Sequence, residues 1–287
     1  MSKKEETQKI CKVGILKLGN IATSVLLEML LDERADRLDI DVRTISSGAK
    51  LEEKSISDAL AIYLKEDFDL SIITTPNASL KNPQKAIQKI TEKTTNVIVI
   101  SDILKKDQRE DFKEKGIGFL IVKSDAMIGA RREFLDPTEM ALFNSDLLKV
   151  LSVGGVFNVV YQKIDKVLSL IKENKKVVLP QKIITPVFAV KFADFSNPYA
   201  EAKARGALEI AQQVAAINTE GCFKINDRHE YIAQVAAAHE MMRQAAKLAD
   251  EARELEKAAN KVRRQPHSYD GDVQDKRTLK EKPTSHY

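Results

Sequence analysis

Tryptophan is absent from this 287-residue sequence, aromatic residues make up only 6%, and there are two cysteines and four histidines. So few aromatics argue against a stacking platform for single-stranded nucleic acid, which needs ring faces for the bases. Cys11 and Cys222 lie far apart with no C-x-x-C spacing, which excludes a disulfide scaffold, a zinc site and a dithiol redox pair. No apolar stretch approaches the roughly 20 residues that cross a bilayer. The N-terminus, Met1 to Lys9, is rich in lysine and glutamate and lacks the apolar core of a secretory signal. Together these absences predict a cytoplasmic protein with reduced thiols, neither embedded in a membrane nor exported.

What is present is ordinary for a globular chain with a sizeable core: 43% hydrophobic and 31% charged residues, at a length that favours two domains. The formal charge of +4 is concentrated near the C-terminus. There Lys261, Arg263, Arg264, Lys276, Arg277, Lys280 and Lys282 face only Asp270, Asp272, Asp275 and Glu281, which leaves the body near neutral. Duplex DNA calls for a broad basic face, so no nucleic-acid partner is expected and a small anionic ligand is favoured.

Short β-rich runs are predicted at Lys12–Leu18, Ile40–Ser46, Leu70–Thr75, Asn96–Ser101 and Gly118–Lys123. Helical stretches such as Ile21–Leu31, Ser57–Leu64, Pro83–Ile90 and Lys105–Lys115 alternate with them. Val97–Ile100 and Phe119–Val122 are apolar at every position, as strands covered on both faces are. The alternation predicts an α/β fold, with a parallel Rossmann-like sheet built through right-handed crossovers and helices on both sides. This domain is assigned to residues 1–124, followed by a helix-bundle domain over 125–263 and a small C-terminal β segment over 264–287.

In the second domain, Asp136-Pro137-Thr138-Glu139 reads as a helix start: a capping carboxylate, a proline suited to the first turn and a glutamate placed as in a capping box. Met140, Phe143, Leu147 and Leu151 then repeat at helical spacing up to Gly154-Gly155, and Val156, Val160, Ile164, Val167 and Ile171 stripe the next helix. Pro180 and Pro186 are read as excluding a helix over Val177–Phe192, leaving an extended connector or a short strand. An alanine-rich helix opens at Asn197-Pro198. The longest runs from about Arg228 to Arg263 with Met241, Ala245, Leu248, Ala252, Leu255, Ala259 and Val262 as a heptad seam, which suits packing within the chain or an oligomer equally. Asp270-Gly271 signals a hairpin in the tail.

The turn after the first strand, with Lys17, Gly19 and Asn20, falls at the carboxyl edge of the predicted sheet, where open α/β folds bind ligands and a helix N-terminus favours an anion. It is neither a G-x-G-x-x-G fingerprint nor a P-loop, since Asn20 and Ile21 stand where Lys and Ser/Thr are required; a nicotinamide dinucleotide is disfavoured. Thr75, Pro76 and Asn77, and Ser101 and Asp102, end the third and fourth strands at the same edge and suit a crevice or an ordinary turn. Lys123 through Glu133 is the most unusual stretch. Lys123, Asp125, Arg131, Arg132 and Glu133 surround Met127, Ile128, Gly129 and Ala130, which suit a flat ring at a domain junction; interdomain salt bridges are the plainer alternative. His239-Glu240-Met241-Met242-Arg243 lacks the second histidine of a zinc-protease helix, and no metal site is expected. His267, beside Pro266, is a candidate for holding a carboxylate or phosphate. No nucleophile–base arrangement stands out. The residues alone lead to an α/β protein with a helical second domain and an anionic ligand between them.

KVGILKLGNIATS (Lys12–Ser24), LLDERADRLDIDVR (Leu30–Arg43), KSDAMIGARREFLDPTEMALFNSDLLKVL (Lys123–Leu151), NPYAEAKA (Asn197–Ala204), HEMMRQAAKLADEARE (His239–Glu254) and RQPHSYDG (Arg264–Gly271) are distinctive. These stretches resemble the coenzyme F420-dependent methylenetetrahydromethanopterin dehydrogenases of methanogenic and related archaea. The resemblance implies a homohexamer acting in methanogenesis and one-carbon metabolism. It also implies reversible hydride transfer between 5,10-methylenetetrahydromethanopterin and F420, giving the 5,10-methenyl form and reduced F420. F420 is then the co-substrate, with no metal and no nicotinamide. Such a reaction asks mainly for orientation and exclusion of water. Two electrostatic tasks remain. Asp125 or Glu133 would stand by the cationic methenyl product, and Lys17, Lys123 or Arg131 by the partly anionic deazaflavin. The rivals are an NADP-dependent pterin dehydrogenase and a non-catalytic oligomeric ligand-binding protein.

Overall fold

The computed structural model describes residues 10–32, 37–127 and 136–285. The site candidates Ile128, Gly129, Ala130, Arg131, Arg132 and Glu133 lie outside the described residues.

The first half alternates strand and helix: β1 (Cys11–Lys17), α1 (Ala22–Asp32), β2 (Ile40–Ser46), α2 (Glu53–Tyr63), β3 (Leu70–Asn77), α3 (Lys81–Thr91), β4 (Val97–Ile103), α4 (Lys106–Glu114) and β5 (Gly118–Val122). With β6 (Gln181–Ile184), these strands form a six-stranded sheet in the order β2-β1-β3-β4-β5-β6, parallel throughout. The order reverses between β1 and β3, which opens a crevice at the carboxyl ends of those strands. The unbroken apolar runs are explained by burial on both faces. Ile72, Ile98, Ile100, Leu120 and Val122 join one cluster with the large helices, while Ile73, Val97, Val99, Phe119 and Ile121 join the other under α2, α3 and α4.

The helical layer comprises α5 (Pro137–Val153), α6 (Val156–Lys172), α7 (Pro186–Ala193), α8 (Pro198–Phe223) and α9 (Arg228–Ala258). Asp136 caps α5, its carboxylate accepting from the N–H groups of Thr138 and Glu139 at 2.7 and 2.9 Å. Glu139 directs its carboxylate to His239 Nδ1 at 2.8 Å, linking α5 to α9. Gly154 and Gly155 turn the chain by 63° between α5 and α6. Gly155 has φ +92°, and a Cβ there would lie 2.2 Å from the Ala189 carbonyl oxygen, so the turn and the close approach of α7 both require glycine.

Two expectations need correction. The connector around Val177–Phe192 contains a helix as well as a strand: Pro186 sits in the first turn of α7, where no N–H is missed, and the Thr185 hydroxyl accepts from Phe188 N–H at 3.3 Å. The buried seam of α9 is also shifted. Tyr231, Val235, Ala238, Met242, Ala245, Ala249, Ala252 and Glu256 face inward, while Met241, Leu248 and Leu255 are only partly buried and Ala259 follows the helix end. Adjacent apolar stripes overlap in this alanine-rich segment, and contact with α8 selects the smaller one because its methyl groups let the backbones approach. Glu256 ends that seam by accepting from the N–H groups of Ser196 and Asn197 at 3.0 and 2.8 Å, ahead of α8.

The tail folds back around Asp270-Gly271, with antiparallel bridges His267–Val273 and Arg264–Lys276 and a short ladder between β7 (Gln274–Asp275) and β8 (Thr284–Ser285). Among the described residues no single helix is long and apolar enough to cross a membrane.

Candidate functional site

The carboxyl ends of β1, β3, β4 and β5 bring many of the sequence-predicted residues together. Leu18 N–H donates to the Thr74 carbonyl at 2.8 Å, binding the turn after β1 to β3. Gly19, at φ +78°, lies where a Cβ would stand 3.1 Å from Leu51 and 3.2 Å from Pro76. Asn20 is exposed, and Lys17 is engaged by Glu28 of α1 at 2.9 Å. Ser101 and Asn77 shape turns: Ser101 Oγ accepts from Ala78 N–H at 3.0 Å, and Asn77 Oδ1 accepts from Ser79 N–H at 2.9 Å. Pro76 is buried beside them, Met127 is half-buried and Lys123 is exposed at the rim.

Asp125 fills the N-terminus of α1. Its Oδ1 accepts from Ala22 N–H at 3.1 Å and Met127 N–H at 3.4 Å, and its Oδ2 accepts from the N–H and the hydroxyl of Thr23, both at 2.7 Å. Free amides and the positive helix end favour an anion here, and the chain supplies its own. Burial pushes the Asp125 carboxyl above its ordinary range, and the bonds from Thr23, Ala22 and Met127 offset part of that rise.

Asp102 is the contrasting case. It is 8% exposed, yet among the described residues neither oxygen has a hydrogen-bond partner. Burial pushes its carboxyl well above the ordinary range, the nearby Asp125 adds to the rise, and Lys123 opposes it. The buried hydroxyls of Thr74 and Thr75 are likewise unpartnered among the described residues. Unused polar atoms at one sheet edge are what a ligand site leaves waiting.

Asp102, Lys123, Asp125 and Ala126 line a cavity of about 530 Å³, closed on the other side by Thr185 after β6 and by Gln212, Gln213 and Thr219 of α8. This far wall is not marked by any motif in the sequence. Its only signal was a pair of glutamines in an otherwise alanine-rich helix, and β6, which carries Thr185 to the sheet edge, was obscured by flanking prolines.

His267 is not brought to this crevice. Its Nε2 lies 3.0 Å from the Asp165 carboxylate and 3.1 Å from Arg37 Nη1. Arg37 and Lys172 also hold Asp39, each at 2.8 Å, and the Asp39 carbonyl accepts from Cys11 N–H at the start of β1. This charged cluster therefore marks the amino edge of the sheet, where it ties the tail to α6. Among the described residues no group of three or more His, Cys, Asp or Glu side chains is arranged to hold a metal.

The family profile described as methylene-5,6,7,8-tetrahydromethanopterin dehydrogenase matches residues 11–284. The F420-dependent methylenetetrahydromethanopterin dehydrogenase of Archaeoglobus fulgidus is 51% identical over 275 residues, covering 96% of this chain and 99% of that protein. The protein so named from Methanosphaera stadtmanae is 50% identical over 264 residues, covering 92% and 96%. A solved structure of F420-dependent methylene-tetrahydromethanopterin dehydrogenase, in complex with methylene-tetrahydromethanopterin and coenzyme F420, superposes with a TM-score of 0.91 at 42% identity, covering 96% of this chain and all of that one. With a match from the first strand to the last, the chain belongs to the methylene-5,6,7,8-tetrahydromethanopterin dehydrogenase family.

Proposed function

We propose that this protein catalyses reversible hydride transfer between 5,10-methylenetetrahydromethanopterin and coenzyme F420, yielding 5,10-methenyltetrahydromethanopterin and reduced F420 in methanogenic one-carbon metabolism. The observation that carries this reading is end-to-end likeness to a protein solved with both molecules bound. The cavity at the carboxyl edge fits it chemically: it is lined by the unpartnered carboxyl of Asp102, by neutral polar side chains and by small residues, with no nucleophile–base pair among its described lining residues. F420 is the co-substrate that supplies the redox chemistry. The protein's task is to hold two rings in register and keep water from the migrating hydride. Asp125 stiffens the wall. Glu133 and Asp125 are our candidates for offsetting the charge of the methenyl product, and Arg131, Lys123 and Lys17 for the deazaflavin. The missing G-x-G-x-x-G stands against the NADP-dependent rival.

Substrate deuterated at the methylene carbon provides the test. The label should appear in reduced F420 during turnover in ordinary water; its loss to solvent would exclude direct transfer.

Residues 1–124, 125–263 and 264–287 are our proposed domains, with β6 returning from the second to the sheet of the first. A cytoplasmic location and a homohexamer complete the proposal. Sedimentation should then give six times the chain mass.

A further inference from the structure

Asp102 lies two residues beyond Ile100 on β4, on the face of the sheet that meets the helical layer. It lines the 530 Å³ cavity with both oxygens unpartnered among the described residues, although it is 8% exposed. Among the described residues, the charged groups acting on it are Asp125 and Lys123, and the facing polar residues after β6 and on α8 are the neutral Thr185, Gln212, Gln213 and Thr219. Four donors point at the oxygens of Asp125, which favours the ionised form there over the ionised form of Asp102. Two neighbouring buried carboxyls do not both ionise readily, so the one without donors keeps the proton.

A neutral carboxyl presents an O–H donor beside a carbonyl acceptor. That pair complements the edge of a cyclic amide, where a ring N–H sits next to a ring C=O, and acids kept neutral by their surroundings serve as donors in other sites. We propose that Asp102, as the neutral acid, recognises the cyclic-amide edge of a ring bound in this cavity, donating to its carbonyl and accepting from its N–H. The inference rests on the function proposed above for the identity of the rings. The pterin and the deazaflavin both carry such an edge, and the experiment separates them.

The test compares D102A, D102N and the parent protein. It measures KM for each substrate and equilibrium binding of F420 and of tetrahydromethanopterin separately, across pH 6 to 9, with thermal unfolding as a check on folding. An amide side chain keeps one donor beside one acceptor, so D102N should restore binding that D102A loses. We expect D102A to weaken one ring ligand at least about tenfold with a smaller change in kcat, as when a site built to pair with a ring N–H loses its partner. D102N should return to within about threefold of the parent. Any loss of affinity that follows ionisation of Asp102 as pH rises should appear in the parent and be absent from D102N. The substrate whose KM moves identifies the ring.

Unchanged KM for both substrates in D102A would overturn the inference, and so would D102N binding as weakly as D102A, since that would make the ionised form the working one. If D102A fails to fold, the pH profiles of D102N and the parent decide: a matching fall in both overturns the inference, and a flat D102N profile against a falling parent supports it. A parent protein that binds neither ring defeats the functional reading itself, whereas an active parent matched by D102A defeats this inference alone.

Discussion

Asp125, just past the last strand of the α/β half, receives both the backbone N–H and the hydroxyl of Thr23 at 2.7 Å, joining positions 102 residues apart. The bonds fix the start of α1 against the exit from β5, so the two lips of the crevice are set by one carboxylate. An anion expected at the α1 N-terminus is therefore built into the chain, leaving Asp102 as the cavity carboxyl without a hydrogen-bond partner among the described residues.

Asp125→Ala leaves the buried donors of Thr23 and Ala22 without partners, at about 1–3 kcal/mol for each. The variant should melt well below the parent, and kcat/KM should fall at least about tenfold, or about 1.4 kcal/mol, as the lip loosens. Asp125→Asn keeps the shape but turns an N–H₂ toward facing donors, so it should fall between the two. Thermal unfolding and steady-state rates on the same samples check both statements.

The amino-edge cluster gives a pH dependence with a definite sign. Burial alone would raise the Asp39 carboxyl, but the bonds from Arg37 and Lys172 outweigh it and hold the group below its ordinary value. The unfolded chain takes up this proton more readily, so the stabilisation is fully present above about pH 4 and is lost as pH falls through the folded value. Asp39→Asn leaves Arg37 and Lys172 short of charge and should cost about 3–5 kcal/mol near neutral pH. Urea midpoints from pH 7 to pH 3 should show the gap between variant and parent closing toward acid.

Much of this architecture was legible because its signals are local. Apolar runs such as Val97–Ile100 and Phe119–Val122 identify strands buried on both faces, and Asp136-Pro137 marks the start of α5. What remained hidden depends on partners distant in sequence. Pro186 reads as a helix breaker until Thr185 is seen capping the helix it begins. The α9 seam is displaced because α8, and not periodicity, chooses between adjacent stripes. The crevice ends of the strands could be named in advance, since a parallel sheet sends them to one edge. His267 could not be placed, because a polar tail carries no sign of the edge it will join. Gln212 and Gln213 become cavity walls only once α8 faces the ends of β4 and β5.

Gly155→Ala tests the junction of α5 and α6. A side chain at φ +92° is strained, and its Cβ would lie 2.2 Å from the Ala189 carbonyl oxygen, a contact with backbone that only movement of α7 relieves. Strain of about 1–3 kcal/mol from the dihedral adds to the clash. Chemical denaturation should show a large loss of stability or no folded protein.

Arg131→Ala and Glu133→Ala address the electrostatic roles proposed from the sequence. Each should lower kcat/KM by more than about threefold, a barrier change above about 0.6 kcal/mol. A loss confined to KM for F420 assigns Arg131 to deazaflavin binding, and a loss in kcat toward the methenyl product assigns Glu133 to the developing cation. Rates within threefold of the parent in both variants would remove these residues from the site.

The central claim is that this chain passes hydride between a methylene-bridged pterin and a deazaflavin. Adding methylenetetrahydromethanopterin and oxidised F420 to the purified protein, with no metal and no nicotinamide, tests it most directly. The account predicts bleaching of the deazaflavin absorbance in step with methenyl product, reversed when reduced F420 and the methenyl compound are supplied instead. Absorbance that stays unchanged with fully folded protein, or bleaching that requires an added nicotinamide or metal, would contradict it.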